Sequence, residues 1–348
     1  MKKWFTAAVA LVVMALTLPS TSPAFADEAP PALENAAGLT VTGAPDGTEN
    51  NFVFKVTTPN VAGERTMRII LPADYAANPE KRYPVNYFLH GAHPTASGGE
   101  PGWVFPAFLD ASARSAMITV IVDGGNRGWY TDWRVQNSAA GAARWETFHI
   151  QQVVPFIDAN LRTLATRDKR AITGYSMGGF GAMHYAFKHP DLFSQAASMS
   201  GAVDIADTLG RAAVMNGLRN LAEWCSAVVG CTGSYGPTLP DNVIFGPLIP
   251  IFDAGIWHQE NPTFHADQLV DVNIGLYHGN GDIIEQGATV LNNNFVAALN
   301  AEGVTYHRVN YGNGSTWGTG CTGTHANGNC VEASLRDWLP RVESAFAS

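Results

Sequence analysis

Short runs that are apolar throughout alternate along this chain with longer stretches of helical period. Residues 51–58 and 65–71 are rich in β-branched and apolar side chains and end at Pro59-Asn60 and Pro72, which predicts two strands. Residues 85–89 and 117–122 are mainly apolar runs that stop at His90-Gly91 and at Asp123-Gly124-Gly125. Further strands are expected over 171–175, 195–199, 273–278 and 304–311. Helical spacing covers 145–161, 178–189, 288–300 and 331–346, with Pro155 inside the first as a local departure. Continuously apolar strands that alternate with helices predict an α/β fold, a mostly parallel central sheet covered on both faces. Residues 202–265 break this rhythm and read as a cap-like insertion. Its Leu209, Leu218, Leu221, Trp224, Phe245, Leu248, Ile249, Ile251, Phe252 and Trp257 are expected to shape a pocket.

The N-terminus reads as an address. Lys2 and Lys3 precede an apolar run that ends near Leu18, and Ala24-Phe25-Ala26 supplies small residues at −3 and −1. That pattern predicts a secretory signal over 1–26, cleaved after Ala26, and an exported protein. Residues 27–50, rich in Ala, Pro and Gly, are expected to be a flexible leader, and 51–348 a single domain. The chain has 348 residues and a net charge of −9, which becomes −11 once both lysines leave with the signal. Without a basic run, phosphate neutralisation has no footing, so a nucleic-acid partner is not expected. Four cysteines in an exported chain suggest disulfides. Four allow three connectivities, and the local pairs Cys225–Cys231 and Cys321–Cys330, each in a Gly-rich loop, are the expectation. A zinc site is disfavoured, because no C-x-x-C spacing occurs.

The chemistry centres on Gly174-Tyr175-Ser176-Met177-Gly178, which fits G-x-S-x-G between a predicted strand and a predicted helix. A serine there sits on a sharp strand-to-helix turn that only small neighbours permit, with its hydroxyl at a helix N-terminus. Such a serine needs a base, and the base needs an acid. Among the seven histidines after Ser176, His184 and His189 fall on the elbow helix, while His278 and His307 fall in or near strands. His325 lies in the loop between the last strand and the last helix, braced by the expected Cys321–Cys330 pair, and is the expected base. The acid is expected after the strand at 273–278. Asp282 is the first choice there and Glu285 the second. Oxyanion donors are expected from the N–H of Met177 and, in the loop after 85–89, of Ala92. His90 and His93 have no evident third ligand near them, so a metal is not expected, nor any organic cofactor. Trp129, Tyr130 and Trp133 are candidates to stack on a substrate, or to be core.

Taken together, Phe88-Leu89-His90-Gly91, Trp129–Trp133, Arg144–Phe148, Gly174–Gly179, Gly279-Asn280-Gly281 and Gly323-Thr324-His325 resemble the secreted esterase and antigen 85-type mycolyltransferase family, within the esterase D-like α/β-hydrolases. The resemblance spans about 50–345 and implies an α/β-hydrolase fold that moves an acyl group through an acyl-serine. Its substrates would be acyl esters, including lipids or glycolipids, and the acceptor would be water or a sugar such as trehalose. Three departures stand out. His90 replaces the Asp that helps bind sugar in the mycolyltransferases. Ala326-Asn327-Gly328 follows His325 where those enzymes tend to have Ser-Trp. Asn293 occupies the helix position that supplies their acid. Substrate contact by His90 is an expectation of the same comparison. The competing reading is a non-enzymatic cell-wall or matrix-binding protein on a hydrolase scaffold, which has no physical need for Ser176 and His325 together.

Overall fold

The computed structural model describes residues 29–93, 106–219, 235–247, 255–325 and 327–347. The predicted signal and the expected Cys225–Cys231 pair lie outside them. Ten strands form one sheet in the order β1-β3-β4-β6-β5-β7-β8-β9-β10, with β2 paired to β3. They are β1 (Thr40–Val41), β2 (Asp46–Thr48), β3 (Asn51–Thr58), β4 (Val61–Ile70), β5 (Val85–Leu89), β6 (Ile118–Val122), β7 (Arg170–Tyr175), β8 (Gln195–Met199), β9 (Asn273–Gly279) and β10 (Tyr306–Gly312). From β6 through β10 every pairing is parallel, whereas β4 meets both β3 and β6 antiparallel. Every residue of β5, β6, β7 and β8 is buried, which is why those segments carry no polar alternation. The fold is that of the α/β-hydrolases.

Two expectations change. The leader is not free of structure over its described part: β1 and β2 both pair with β3, and Leu39 is buried against the core. Its alternation is too brief to register as a period. The helix expected over 145–161 is two pieces, a π-helix Thr147–Val153 and an α-helix Val154–Asn160. Pro155 sits in the first turn of the second piece, where its missing N–H leaves nothing unsatisfied. The wider π turn, with the Val154 N–H reaching the His149 carbonyl, absorbs the change.

Strand order locates the site. The chain runs from β5 to β6 on one side and then crosses to β7 on the other. The crevice at the C-terminal ends of β5 and β7 is therefore where an open α/β sheet receives ligands. The helix after β7, Met177–Lys188, packs on β7 and β8.

The outer turns of that helix are held by charge. Lys188 Nζ lies 2.8 Å from Glu146 Oε2 and 3.1 Å from Glu260 Oε2. His184, one turn before Lys188, and His189, the residue that ends the helix, bond Glu260 (2.5 Å) and Glu146 (2.9 Å). Burial opposes ionisation of both carboxyls. The hydrogen bonds from His189 to Glu146 and from His184 to Glu260, with the charge of Lys188, outweigh it and hold each down to about 2. The insertion is tied in at the same place, since Glu260 and the core residues Leu218, Phe245 and Trp257 belong to it. Those three are buried in the main core, while Leu209 is exposed. Leu221, Trp224, Leu248, Ile249, Ile251 and Phe252 lie outside the described residues.

Two stability predictions follow from these ties. Because both carboxyls titrate below their ordinary value of 4.5, their contribution is complete above about pH 4.5 and is lost as pH falls toward 2. Lys188→Met takes the shared cation from two carboxylates and leaves them their histidine bonds, so it should lower unfolding free energy in urea by about 3 kcal/mol and raise the midpoint of acid unfolding. A Cys321→Ser/Cys330→Ser double variant should lose about 2–3 kcal/mol in the same titration, as opening so short a loop requires.

Candidate active site

Ser176 stands between β7 and its helix with φ 55° and ψ −120°, a conformation that side chains other than glycine rarely adopt. The turn closes only because its neighbours are bare. A Cβ on Gly174 would lie 2.0 Å from the Gly178 carbonyl oxygen, and one on Gly178 would lie 2.0 Å from that of Leu89. Ser176 N donates to the Met199 carbonyl at 2.8 Å, which fastens the turn to β8.

The Ser176 hydroxyl bonds His325 Nε2 at 2.8 Å, and His325 Nδ1 bonds Glu285 Oε1 at 2.7 Å. The carboxylate at the imidazole is thus Glu285, not Asp282, the first choice from sequence. Asp282 caps the helix Ile283–Ala301: its Oδ1 accepts the Glu285 N–H at 2.8 Å and its Oδ2 the His325 backbone N–H at 2.8 Å. Its short side chain, in extended backbone before the helix, is spent on two backbone donors. Glu285, in the first turn, carries the longer side chain that reaches the ring. Glu285 is fully buried, and its Oε2 accepts the Gly279 N–H at 2.7 Å. Burial opposes its ionisation, but the hydrogen bond and charge of His325, with help from Ser200 and Gly279, hold its carboxyl below the usual range.

The loop that delivers His325 is fixed at several points. Cys321 and Cys330 are joined by a disulfide. Gly281 N donates to the Gly323 carbonyl at 2.8 Å, and Tyr175 of the elbow donates its hydroxyl to the His325 carbonyl. Tyr175 carried no sequence signal beyond occupying the variable position of the motif. Asn293 bonds Arg308 at 2.6 Å on the next strand, apart from the imidazole.

Met177 is the first residue of the helix, so its N–H precedes the first intrahelical bond. Ala92 follows Gly91, which passes so near the turn that a Cβ on it would stand 3.1 Å from that of Ser176. The remaining site residues expected from sequence lie elsewhere. His90, Trp129 and Tyr130 are at most 3% exposed and offer no face to solvent, while Trp133, 4% exposed, borders a cavity outside the serine site. His90 Nδ1 donates to the Gly91 carbonyl at 2.8 Å, and its Nε2 accepts the Gly124 N–H at 2.9 Å. Burial lowers its pKa, in keeping with the neutral ring these bonds require. Because the peptide is planar and trans, the bond that holds the Gly91 carbonyl also sets the direction of the Ala92 N–H. Tyr130 donates to the His90 carbonyl at 2.8 Å, and Trp133 Nε1 to that of Gly128 at 2.9 Å. These residues brace the loops around Ser176 from behind. Their pattern in the sequence did not distinguish a buried brace from a stacking platform.

The family model described as "Putative esterase" matches residues 58–319. Mycobacterium tuberculosis esterase Rv1288 is 31% identical over 246 residues, 70% of this chain but 48% of its own length, so the chain spans about half of that relative. Diacylglycerol acyltransferase/mycolyltransferase Ag85B of Mycobacterium avium is 27% identical over 70% of each chain. Among solved structures, a ferulic acid esterase (21% identity, TM-score 0.57) is matched over 85% of this chain and 98% of its own. Mycobacterium tuberculosis MPT51 (19%, 0.56) is matched over 88% and 99%. Staphylococcus aureus FphF, a fluorophosphonate-binding serine hydrolase (16%, 0.58), is matched over 87% and 99%. The structural likenesses speak for the fold, and the family match, over well more than half of the residues, places this chain in the esterase family.

Proposed function

We propose that this protein is an exported serine carboxylic ester hydrolase that works through an acyl-serine. The observation that carries the reading is the unbroken hydrogen-bonded line from Ser176 Oγ through His325 to Glu285. Ser176 attacks the ester carbonyl while His325 Nε2 takes its proton and returns it to the leaving alcohol. Glu285, ionised and buried, holds the imidazole in the Nδ1–H tautomer and stabilises the imidazolium as it forms. The N–H groups of Met177 and Ala92 receive the negative charge that develops on the carbonyl oxygen. Water then attacks the acyl-serine, and the same steps run in reverse order of proton transfer. Asp282 acts one step removed, by fixing the backbone on which His325 rides. Export rests on the basic, apolar and small-residue pattern of 1–26.

Acyl transfer to a sugar hydroxyl is the second reading, and the 27% identity to diacylglycerol acyltransferase/mycolyltransferase Ag85B favours it. Both readings share the acyl-serine and differ in the acceptor. A binding protein without chemistry is not favoured by any observation at the site.

Hydrolysis of p-nitrophenyl acetate should disappear in Ser176→Ala together with labelling by a fluorophosphonate probe. Well-folded wild type that neither hydrolyses nor labels would refute the enzyme. Glu285→Gln should lower kcat by about 10³–10⁴, the scale of losing the acid that sets the tautomer. Asp282→Asn should lower it far less, by about tenfold, and a reversed ranking would return the acid role to Asp282. In a series of p-nitrophenyl esters with and without trehalose, free acid should be the product in both. Acyl-trehalose formed at the expense of free acid would establish the transferase reading instead.

A further inference from the structure

A cavity of about 430 Å³ lies at the C-terminal end of β6, outside the serine site. Its walls include Arg65, Arg127, Trp133, Trp145 and Tyr235, with small residues such as Ala140 and Ala142 leaving the room. One backbone hydrogen bond ties its wall to the oxyanion loop. Asn126, another lining residue, accepts the His93 N–H on its carbonyl at 3.0 Å. His93 is only two residues, about 7 Å of extended chain, from the Gly91 that abuts Ser176.

The charge in this cavity is out of balance. Arg127 is 2% exposed, yet its terminal nitrogens donate only to neutral carbonyls, of Gly217 (2.8 Å) and Pro237 (2.7 Å). No carboxylate forms an ion pair with it among the described residues, and burial alone draws its pKa down to about 10. Arg65 lies over the Trp145 ring at 5.5 Å and donates to the Ala62 carbonyl, while its Nε is buried without a partner. The nearest carboxylate is Asp123, 3.9 Å from Arg65 Nη1, and its two oxygens already accept the N–H groups of Gly125 (2.8 Å) and Thr66 (3.2 Å). Among the described residues, two guanidinium groups thus line a cavity with one carboxylate beside it, 3.9 Å from Arg65. Buried charge without a counter-ion is unfavourable, and a lone guanidinium at a cavity wall is matched by the fork of a carboxylate.

We propose that this cavity is a subsite for an organic carboxylate carried by the ester substrate. The excess of one positive charge among the described residues suits a monoanion better than a phosphate monoester, and the aromatic walls suit an apolar or ring-bearing body. The proposal rests on the ester-hydrolase reading. It adds that a substrate anchored here by its carboxylate lays its ester bond across the oxyanion loop toward Ser176.

The test compares matched esters on the full chain. In the acyl arm, 4-nitrophenyl hydrogen adipate is set against 4-nitrophenyl hexanoate. In the alcohol arm, 4-acetoxybenzoate is set against its methyl ester. In one arm kcat/KM should favour the anion by about tenfold or more, as a hydrogen-bonded ion pair would give. That ratio should fall toward one in Arg127→Met and Arg65→Met and be partly kept in Arg127→Lys. Reading a ratio cancels any general loss of activity from misfolding. The arm that responds tells whether the carboxylate belongs to the acyl group or to the alcohol. No anionic preference in either arm would overturn the subsite, as would a preference that survives both methionine substitutions. Should Arg127→Met not fold, wild type alone decides: adipate or 4-hydroxybenzoate should inhibit hydrolysis of the neutral ester competitively, and inertness of both at 10 mM, about the weakest useful affinity, overturns the proposal. Failure of wild type to hydrolyse any neutral ester would instead refute the enzymatic reading, which keeps the two failures apart.

Discussion

The turn at Ser176 is the constraint on which the rest of the site depends. A non-glycine residue at φ 55° is held in a conformation that costs on the order of 1–3 kcal/mol, so the surroundings must over-determine it. They do so by close approach. β5, β7 and the elbow helix come together so tightly that Gly174 and Gly178 have no room for a methyl group, each being 2.0 Å from a carbonyl oxygen at the Cβ position. The buried, continuously apolar strands supply the rigidity, and the hydrogen bond from Ser176 to β8 closes the frame. A hydroxyl placed this way is pinned to the sheet itself rather than to a loop.

Around it, each loop end is held by a polar group aimed at backbone. Asp282 grips the His325 N–H, Tyr175 its carbonyl, His90 the Gly91 carbonyl, and Glu285 the Gly279 N–H as well as the imidazole. Buried polar groups of this kind are costly unless satisfied, and when satisfied they select one arrangement. The same logic operates farther out, where Lys188, His184 and His189 line one side of the elbow helix and hold Glu146 and Glu260 ionised. The contrast is the cavity beside β6, where Arg127 has no carboxylate partner among the described residues.

Much of this was legible in the sequence because it is local. Mainly apolar runs of five or six residues mark strands buried on both faces, and β5 and β8 match their expected bounds residue for residue. The elbow is legible because a strained turn demands glycine at fixed offsets from the serine. The short cysteine spacing at 321 and 330 suffices to suggest their pairing, and the structure shows it. What the pattern missed were elements whose signal is weak: the two-residue β1, the π turn that accommodates Pro155, and the helix Thr208–Arg219 inside the insertion.

The sequence by itself determined the parallel sheet, the strained turn at Ser176 and the loop that carries His325, since each follows from period, chain order or turn sterics. Only the tertiary structure decided which carboxylate meets the imidazole. Asp282 and Glu285 are three residues apart and chemically alike, and the choice turns on where the helix begins: its cap spends Asp282 on backbone N–H groups and aims Glu285 across at β10's following loop. It also decided that His90, Trp129, Tyr130 and Trp133 face inward, and that Arg65 and Arg127 converge on one cavity. Those facts depend on packing between segments far apart in the chain, and no spacing along a single segment encodes them.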